Sequence, residues 1–104
     1  MTTDKRMLTH IVIWKYREDV AQEKRDEHLA ALRALPARIP EIIGFNVGYD
    51  VLKLPRSYHT GLTSTFKDEA ALEIYTAHPA HQIVVNLGKE ISEHVASVDF
   101  LDEE

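Results

Sequence analysis

The chain has 104 residues, the length of one small domain, and 44% of them are hydrophobic, which is typical of a folded protein. Its net charge of -5 argues against nucleic acid or an anionic membrane surface as the main partner. The absence of cysteine excludes disulfides, iron–sulfur clusters, thiolate zinc sites and cysteine nucleophiles. No segment reaches the roughly 20 apolar residues of a membrane span. The N-terminal residues lack the apolar core of a secretory signal, so we expect a cytoplasmic protein.

Strands and helices are predicted in the order β-α-β-β-α-β. The segment Met7–Tyr16 predicts the first strand, because β-branched and aromatic side chains are dense on both of its faces. A first helix is predicted over Ala21–Leu35, with Asp19 as its cap and Pro36 at its end. The other predicted elements are strands over Ile42–Leu52, Tyr58–Phe66 and Val95–Leu101, a helix from Glu69 capped by Asp68, and a second helical segment over Pro79–His94.

This order is that of a ferredoxin-like α+β fold, a four-stranded antiparallel sheet with both helices on one face. The first strand would place either Val12 and Trp14 or Ile11 and Ile13 on the bare face. An exposed apolar surface of this kind predicts a second sheet against it. We therefore expect a homodimer that closes into a dimeric α/β barrel, with the aromatic residues of the first strand near the seam. The predicted boundaries are a flexible arm over residues 1–6, the domain over 7–101 and an acidic tail over 102–104.

Most of the chain, from about residue 7 to residue 100, resembles the stress-responsive dimeric α/β-barrel (Dabb) family. The matching segments are LTHIVIWKY, LRALPARIPEIIGFNVGYDV, SYHTGLTSTFKDEAALEIYTAHPAH and VDF. The most specific piece is the motif Y-x-x-H-P-x-H, formed here by Tyr75, His78, Pro79 and His81. The resemblance implies a ferredoxin-like protomer, a face-to-face dimer and a small-molecule pocket between sheet and helices.

The resemblance also implies a set of site residues. In a plant polyketide cyclase of this family, a Tyr and a His on the second helix act together, and their positions match Tyr75 and His81. A strand-one His of that enzyme matches His10. A further pocket His matches Thr60, while the neighbouring His59 is shifted by one residue and is expected to point to the opposite face. The catalytic residues predicted in this way are Tyr75, His81 and His10, and the predicted ligand-binding residues are Val12, Trp14, Thr60, Leu62 and His78.

The chemistry of the Tyr75 and His81 pair follows from their residue types. A His with an ordinary pKa near 6.5 is able to transfer a proton, and a Tyr hydroxyl is able to stabilise an oxyanion. A continuous helix would separate two residues six apart by about 120°, but a break at Pro79 can turn His81 inward. The alternative is that both are ordinary hydrogen-bonded residues at the edge of the core.

The other histidines have simpler interpretations. His78 precedes a proline, so its backbone is biased away from helix, and we expect it to cap or lock the helix break. His78 and His81 have a spacing found in zinc sites but lack an identified third ligand, so we expect neither a metal nor another cofactor. His28 and His94 are interpreted as structural residues at helix surfaces or ends.

Three functions remain open at this point. The first is binding of a small apolar or carbonyl-bearing molecule, with cofactor-independent, cyclase- or lyase-like acid–base chemistry on a carbonyl or polyketide-like compound. The second is a non-enzymatic, stress-related homodimer whose cavity is incidental. The third is a cofactor-independent oxygenase, which shares only the fold plan.

Overall fold

The computed structural model describes residues 6–103, and it shows the ferredoxin-like order with the second helical region split in two. Most of the predicted N-terminal arm and the last residue of the predicted tail lie outside the described residues. Within residues 6–103, no helix is long and apolar enough to cross a membrane. The elements are β1 Leu8–Tyr16, α1 Gln22–Arg33, a 3₁₀ turn Leu35–Ala37, β2 Gly44–Tyr49, β3 Thr60–Phe66, α2 Glu69–Ala77, α3 Pro79–Ile91 and β4 Ser92–Leu101.

The four strands form one antiparallel sheet in the order β2-β3-β1-β4. Trp14 and Tyr16 of the central strand β1 are buried in the core with residues of α1 and α3, so their face carries the helices. Because side chains alternate along a strand, Ile11 and Ile13 lie on the opposite, bare face. The prediction that the β1 aromatics lie near a dimer seam is therefore wrong.

The helix ends differ in part from the prediction. Asp19 does not cap α1; it pairs with Arg17 at 3.3 Å, and Ala21 occupies the N-cap without a side-chain hydrogen bond. Helix α1 also ends before Leu35, in a 3₁₀ turn that contains Pro36, because proline lacks the N–H of a regular helix. The predicted cap of α2 is confirmed, since the Asp68 carboxylate accepts a hydrogen bond from the Ala71 N–H at 2.9 Å.

The connection between β2 and β3 is longer than predicted. Strand β2 ends at Tyr49 and β3 begins only at Thr60. In the connection over residues 50–59, the Asp50 carboxylate accepts a hydrogen bond from the Lys53 N–H at 2.7 Å and forms a local turn. Lys53 takes a φ of 54° in this turn, a left-handed conformation that is uncommon for a residue with a side chain. This turn is the reason why the predicted continuation of β2 to Leu52 does not form.

The break between α2 and α3 lies at His78, as predicted. The His78 N–H donates to the Tyr75 carbonyl oxygen at 3.1 Å, which closes α2. Its ring nitrogen Nδ1 accepts a hydrogen bond from the Ala80 N–H at 3.0 Å and so caps α3, in which Pro79 is the first residue. The predicted capping role of His78 is confirmed. Helix α3 ends at Ile91, however, so His94 belongs to β4 and not to a helix.

Strand β4 pairs with β1 along its whole length and brings the two ends of the domain together. Beyond the strands, the Asp102 N–H donates to the Met7 carbonyl oxygen at 2.8 Å, and the Thr9 hydroxyl contacts the Asp102 carboxylate. Asp102, the first residue of the predicted tail, is thus held against the sheet.

Candidate functional site

A cavity of about 240 Å³ lies between the helix-facing side of β1 and β4 and the three helices. The three predicted catalytic residues, His10, Tyr75 and His81, all line it, and Val12 and Trp14 form part of its sheet wall. The structure thus brings five of the eight predicted site residues into one cavity. The remaining lining residues are mostly apolar; they are Leu32, Thr76, Val84, Val85, Lys89, Val95 and Ser97.

The other three predicted site residues, Thr60, Leu62 and His78, do not line this cavity. Thr60 pairs with Trp14, several residues along the sheet from His10, and its buried hydroxyl lies 2.8 Å from the Tyr16 hydroxyl. Leu62 is buried in the core, and the His78 ring is occupied by its cap to α3. Each of the three side chains therefore has a packing or hydrogen-bonding role at its own position.

The prediction that His59 points to the face of the sheet opposite Thr60 is wrong. Its ring stacks on the core residue Tyr16, with centroids 5.6 Å apart and an angle of 8° between the planes. Its Nδ1 accepts a hydrogen bond from the Tyr16 N–H at 2.9 Å. The alternation of faces holds only within a strand, and His59 precedes the first residue of β3.

The break at Pro79 orients His81. In a continuous helix the Ala80 N–H would donate to the Thr76 carbonyl oxygen, but here it donates to His78. The released Thr76 oxygen lies 3.1 Å from His81 Nδ1 and accepts a second hydrogen bond from Gln82. Because a carbonyl oxygen can only accept, Nδ1 of the neutral His81 ring carries the proton. The free lone pair is therefore on Nε2, which has no hydrogen-bond partner among residues 6–103.

The electrostatic environment keeps His81 neutral at physiological pH. Burial lowers the pKa of His81 below its usual 6.5, and the nearby His10 and His78 act in the same direction. The hydrogen bond to Thr76 opposes this effect only in part. A neutral imidazole with a free Nε2 is the form of histidine that is able to accept a proton.

Tyr75 packs directly against His81, with ring centroids 4.2 Å apart. Its side chain is buried, and burial raises the pKa of Tyr75 to about 12, so the hydroxyl stays protonated at neutral pH. The hydroxyl makes no hydrogen bond within the described part of the chain. It is therefore available as a donor to an oxygen atom of a molecule in the cavity.

His10 faces the same cavity from the sheet, with its ring 6.0 Å from that of Tyr75. Its Nδ1 contacts the carboxylate of Asp99, the residue directly opposite on β4. Asp99 and Thr76 are site residues that the sequence did not predict. The sequence pattern does not indicate either residue. The contact of Asp99 with His10 depends on the register of β1 and β4, and the contact of Thr76 with His81 depends on the carbonyl oxygen that the helix break releases.

His28, predicted to be a structural residue at a helix surface or end, is not at the surface; it is fully buried between α1, α3 and β1. Its Nδ1 lies 2.7 Å from the Tyr16 hydroxyl, while its Nε2 is buried without a partner. Burial lowers the pKa of His28 to about 4. The sequence contained a signal for this position, because His28 shares one helical stripe with Leu32 and Leu35.

The sequence matches a known protein family over almost its whole length. The model of the stress responsive A/B barrel domain family, Dabb, matches residues 8–102. An uncharacterized protein from Streptomyces coelicolor is 31% identical over 91 residues, which cover 83% of this chain and 91% of that protein.

Solved structures share the fold. A dimeric protein of unknown function with a ferredoxin-like fold, from Bacteroides fragilis, superposes with a TM-score of 0.82 at 30% identity, covering 92% of this chain and 96% of that one. The hydroxynitrile lyase from Passiflora edulis superposes with a TM-score of 0.86 at 18% identity, covering 97% of both chains. At that identity the second similarity concerns the fold alone.

Proposed function

Because the chain belongs to the stress responsive A/B barrel (Dabb) family, we propose that it is a homodimer whose protomers each bind a small, largely apolar, carbonyl-bearing molecule. The binding site is the cavity between β1 and the helices, and the reaction is cofactor-independent acid–base chemistry of the cyclase or lyase type. The observation that carries this proposal is that Tyr75 and His81 meet in one mostly apolar cavity with complementary protonation states.

The two side chains support a division of roles. His81 Nε2 acts as the general base that removes a proton from the carbon next to the carbonyl group. The Tyr75 hydroxyl donates a hydrogen bond to the carbonyl oxygen, where negative charge develops as that proton leaves. The apolar walls exclude water and so strengthen this hydrogen bond. Protonated His81 then returns the proton to the product or to its leaving group.

The homodimer is supported by the bare face of the sheet. Ile11 and Ile13 lie on this face. In the register, Val98 of β4 is opposite Ile11 and Phe100 is opposite Thr9, on the same face. Val98 is 53% exposed and Phe100 is 45% exposed in the single protomer. A continuous apolar surface of this kind is typical of a protein–protein contact. The Bacteroides fragilis relative, at 30% identity, is a dimeric protein.

The proposal is tested by titrating a panel of β-keto compounds into the protein and following amide NMR shifts and product formation. We expect shifts of residues around the cavity, and turnover that Tyr75→Phe and His81→Gln each reduce. Neither substitution removes much apolar volume, so both variants should stay folded. Glu73→Gln, at an exposed position of α2 that does not line the cavity, is the control.

Turnover that survives in both Tyr75→Phe and His81→Gln would contradict the catalytic roles. A panel that produces no shifts around the cavity would contradict the binding site itself. It would favour instead the non-enzymatic homodimer with an incidental cavity.

A further inference from the structure

A second and larger cavity, of about 480 Å³, lies at the other end of the helix-facing side of the sheet. It is bounded by the first turns of α1, the end of β2 and the connection over residues 50–59. Within the described chain, it shares no lining residue with the cavity of His81. The two cavities also differ in chemistry: the cavity of His81 is lined mostly by apolar side chains, whereas the second cavity is lined by aromatic and cationic ones. The residues that matter here are Tyr16, Arg25, Tyr49, Lys53, Tyr58 and His59.

The floor of this second cavity is formed by Tyr16, which hydrogen bonds and ring contacts hold in place. The Tyr16 side chain is fully buried, and its hydroxyl is held by His28 at 2.7 Å and by Thr60 at 2.8 Å. The His59 ring stacks on Tyr16, and the guanidinium carbon Cζ of Arg25 lies 5.4 Å from the centre of the Tyr16 ring. A floor fixed in this way can present Arg25 to a ligand without reorganisation.

Arg25 is held by backbone oxygens rather than by a carboxylate. Its Nε donates to the Val20 carbonyl oxygen and its Nη2 to the Arg17 carbonyl oxygen, both at 3.1 Å. These bonds use two of the five N–H donors of a guanidinium. Among residues 6–103, no carboxylate lies within ion-pair distance of Arg25 or of Lys53. Two unpaired cations thus face one cavity in a chain whose net charge is -5.

The carboxylates near the cavity are already engaged by neutral donors. Asp50 accepts from the Lys53 N–H at 2.7 Å. Asp26 accepts from the Tyr49 hydroxyl at 2.6 Å and from the Gln22 amide at 3.0 Å. The turn that Asp50 stabilises is the one that places Lys53 in its left-handed conformation at the cavity rim. Residues held in uncommon conformations are often found at binding sites.

We infer that this second cavity binds a small aromatic carboxylate. The guanidinium of Arg25 offers a planar set of donors suited to a carboxylate, and the Lys53 ammonium adds a second positive charge. The rings of Tyr49, Tyr58 and His59 supply flat surfaces against which an aromatic body can pack. The site is separate from Tyr75 and His81, so it does not depend on the proposed reaction.

The experiment is an amide NMR titration of the full-length protein with benzoate. Benzylamine, which has the same phenyl ring but a positive charge, is titrated for comparison. We expect benzoate to shift residues 49–59 and the amides around Arg25, in a saturable way, and to leave those around His81 unchanged. Arg25→Gln should weaken benzoate binding by about tenfold or more, because a charge-assisted pair is lost. Arg33→Gln, an exposed position on the same helix, should leave the affinity unchanged.

Lys53→Gln provides a second variant in case Arg25→Gln does not fold, because Lys53 is exposed in a connection. It should also weaken benzoate binding, and added salt should reduce the affinity of the wild-type protein. Three results would overturn the inference: equal binding of benzylamine, unchanged benzoate affinity in the folded variants, or benzoate shifts that cluster around His81.

Discussion

His10 and Asp99 stand opposite each other on β1 and β4, and His10 Nδ1 contacts the Asp99 carboxylate. Because an ionised carboxylate only accepts, this contact holds the proton of the neutral His10 ring on Nδ1. Asp99→Ala should release the ring and shift its proton towards Nε2, which ring nitrogen chemical shifts would measure. Glu93→Ala removes a carboxylate of the same strand, which pairs with Lys15, and should leave His10 unchanged. Unchanged ring nitrogen chemical shifts of His10 in Asp99→Ala would contradict the conclusion that Asp99 holds the proton on Nδ1.

The stability of the fold should depend on pH through His28. Burial lowers the pKa of His28 to about 4, against about 6.5 in an unfolded chain. Between these values the unfolded chain binds a proton that the folded chain does not bind. The free energy of unfolding should therefore fall as the pH decreases from about 6.5 to about 4, by up to about 3 kcal/mol from this residue. Urea unfolding at a series of pH values measures this change.

The control for this pH dependence is a pair of variants. His28→Gln should flatten the curve in part, since burial also lowers the pKa values of His81 and His59 and they act in the same direction. Asn86→Gln, at an exposed position of α3, removes no titratable group and should retain the full slope. A His28→Gln curve as steep as that of the wild type would show that His28 is not its source.

Gly88 allows a close approach of two aromatic side chains to α3. A Cβ atom at this position would lie 3.1 Å from both His28 Nε2 and Trp14 Nε1. The His28 ring is fixed by Tyr16 and cannot easily retreat. Gly88→Ala should therefore lower the free energy of unfolding by about 1 kcal/mol, the cost of overpacking less the gain in helix propensity. Urea unfolding measures this change, and Asn86→Ala, at an exposed position of α3, is the control without overpacking. A Gly88→Ala variant at least as stable as the wild type would refute this explanation.

The bare sheet face should hold the proposed dimer together. Light scattering at micromolar concentration should give twice the chain mass of 11.9 kDa. Val98→Asp places a charge on this face, opposite Ile11 in the register, and should produce monomers, because an unpaired buried charge is costly. Ile83→Asp, at a 70% exposed position of α3, should remain dimeric. A wild-type protein that is monomeric and folded at this concentration would contradict the barrel.

The order of the elements followed from the sequence, but the choice of face did not. Both alternating sets of β1 are apolar, so periodicity alone could not decide whether Trp14 or Ile13 turns to the helices. The decision depends on helix packing, which buries Trp14 beside residues of α1 and α3. For the same reason the expected position of the aromatic residues at the dimer seam was wrong.

Only those parts of the candidate site that depend on local sequence features could be predicted. The Pro79 break was visible in the sequence, and it is the break that turns His81 towards Tyr75. Asp99 depends on cross-strand register, and Thr76 depends on a carbonyl oxygen that loses its usual helical donor. The resemblance placed Thr60 in the same site, whereas the register places it beside Trp14 and away from His10.

The pairing of β4 with β1 has a consequence for how the protein folds. These strands are neighbours in the sheet but lie at opposite ends of the described chain, so their contacts span almost all of its length. Contacts of such long sequence separation form slowly, because a large loop must be closed first. Val95 and Ser97 of β4 form one wall of the His81 cavity. That cavity is therefore completed only when the last strand docks, and a ribosome-bound chain that still lacks β4 has no closed site for a ligand.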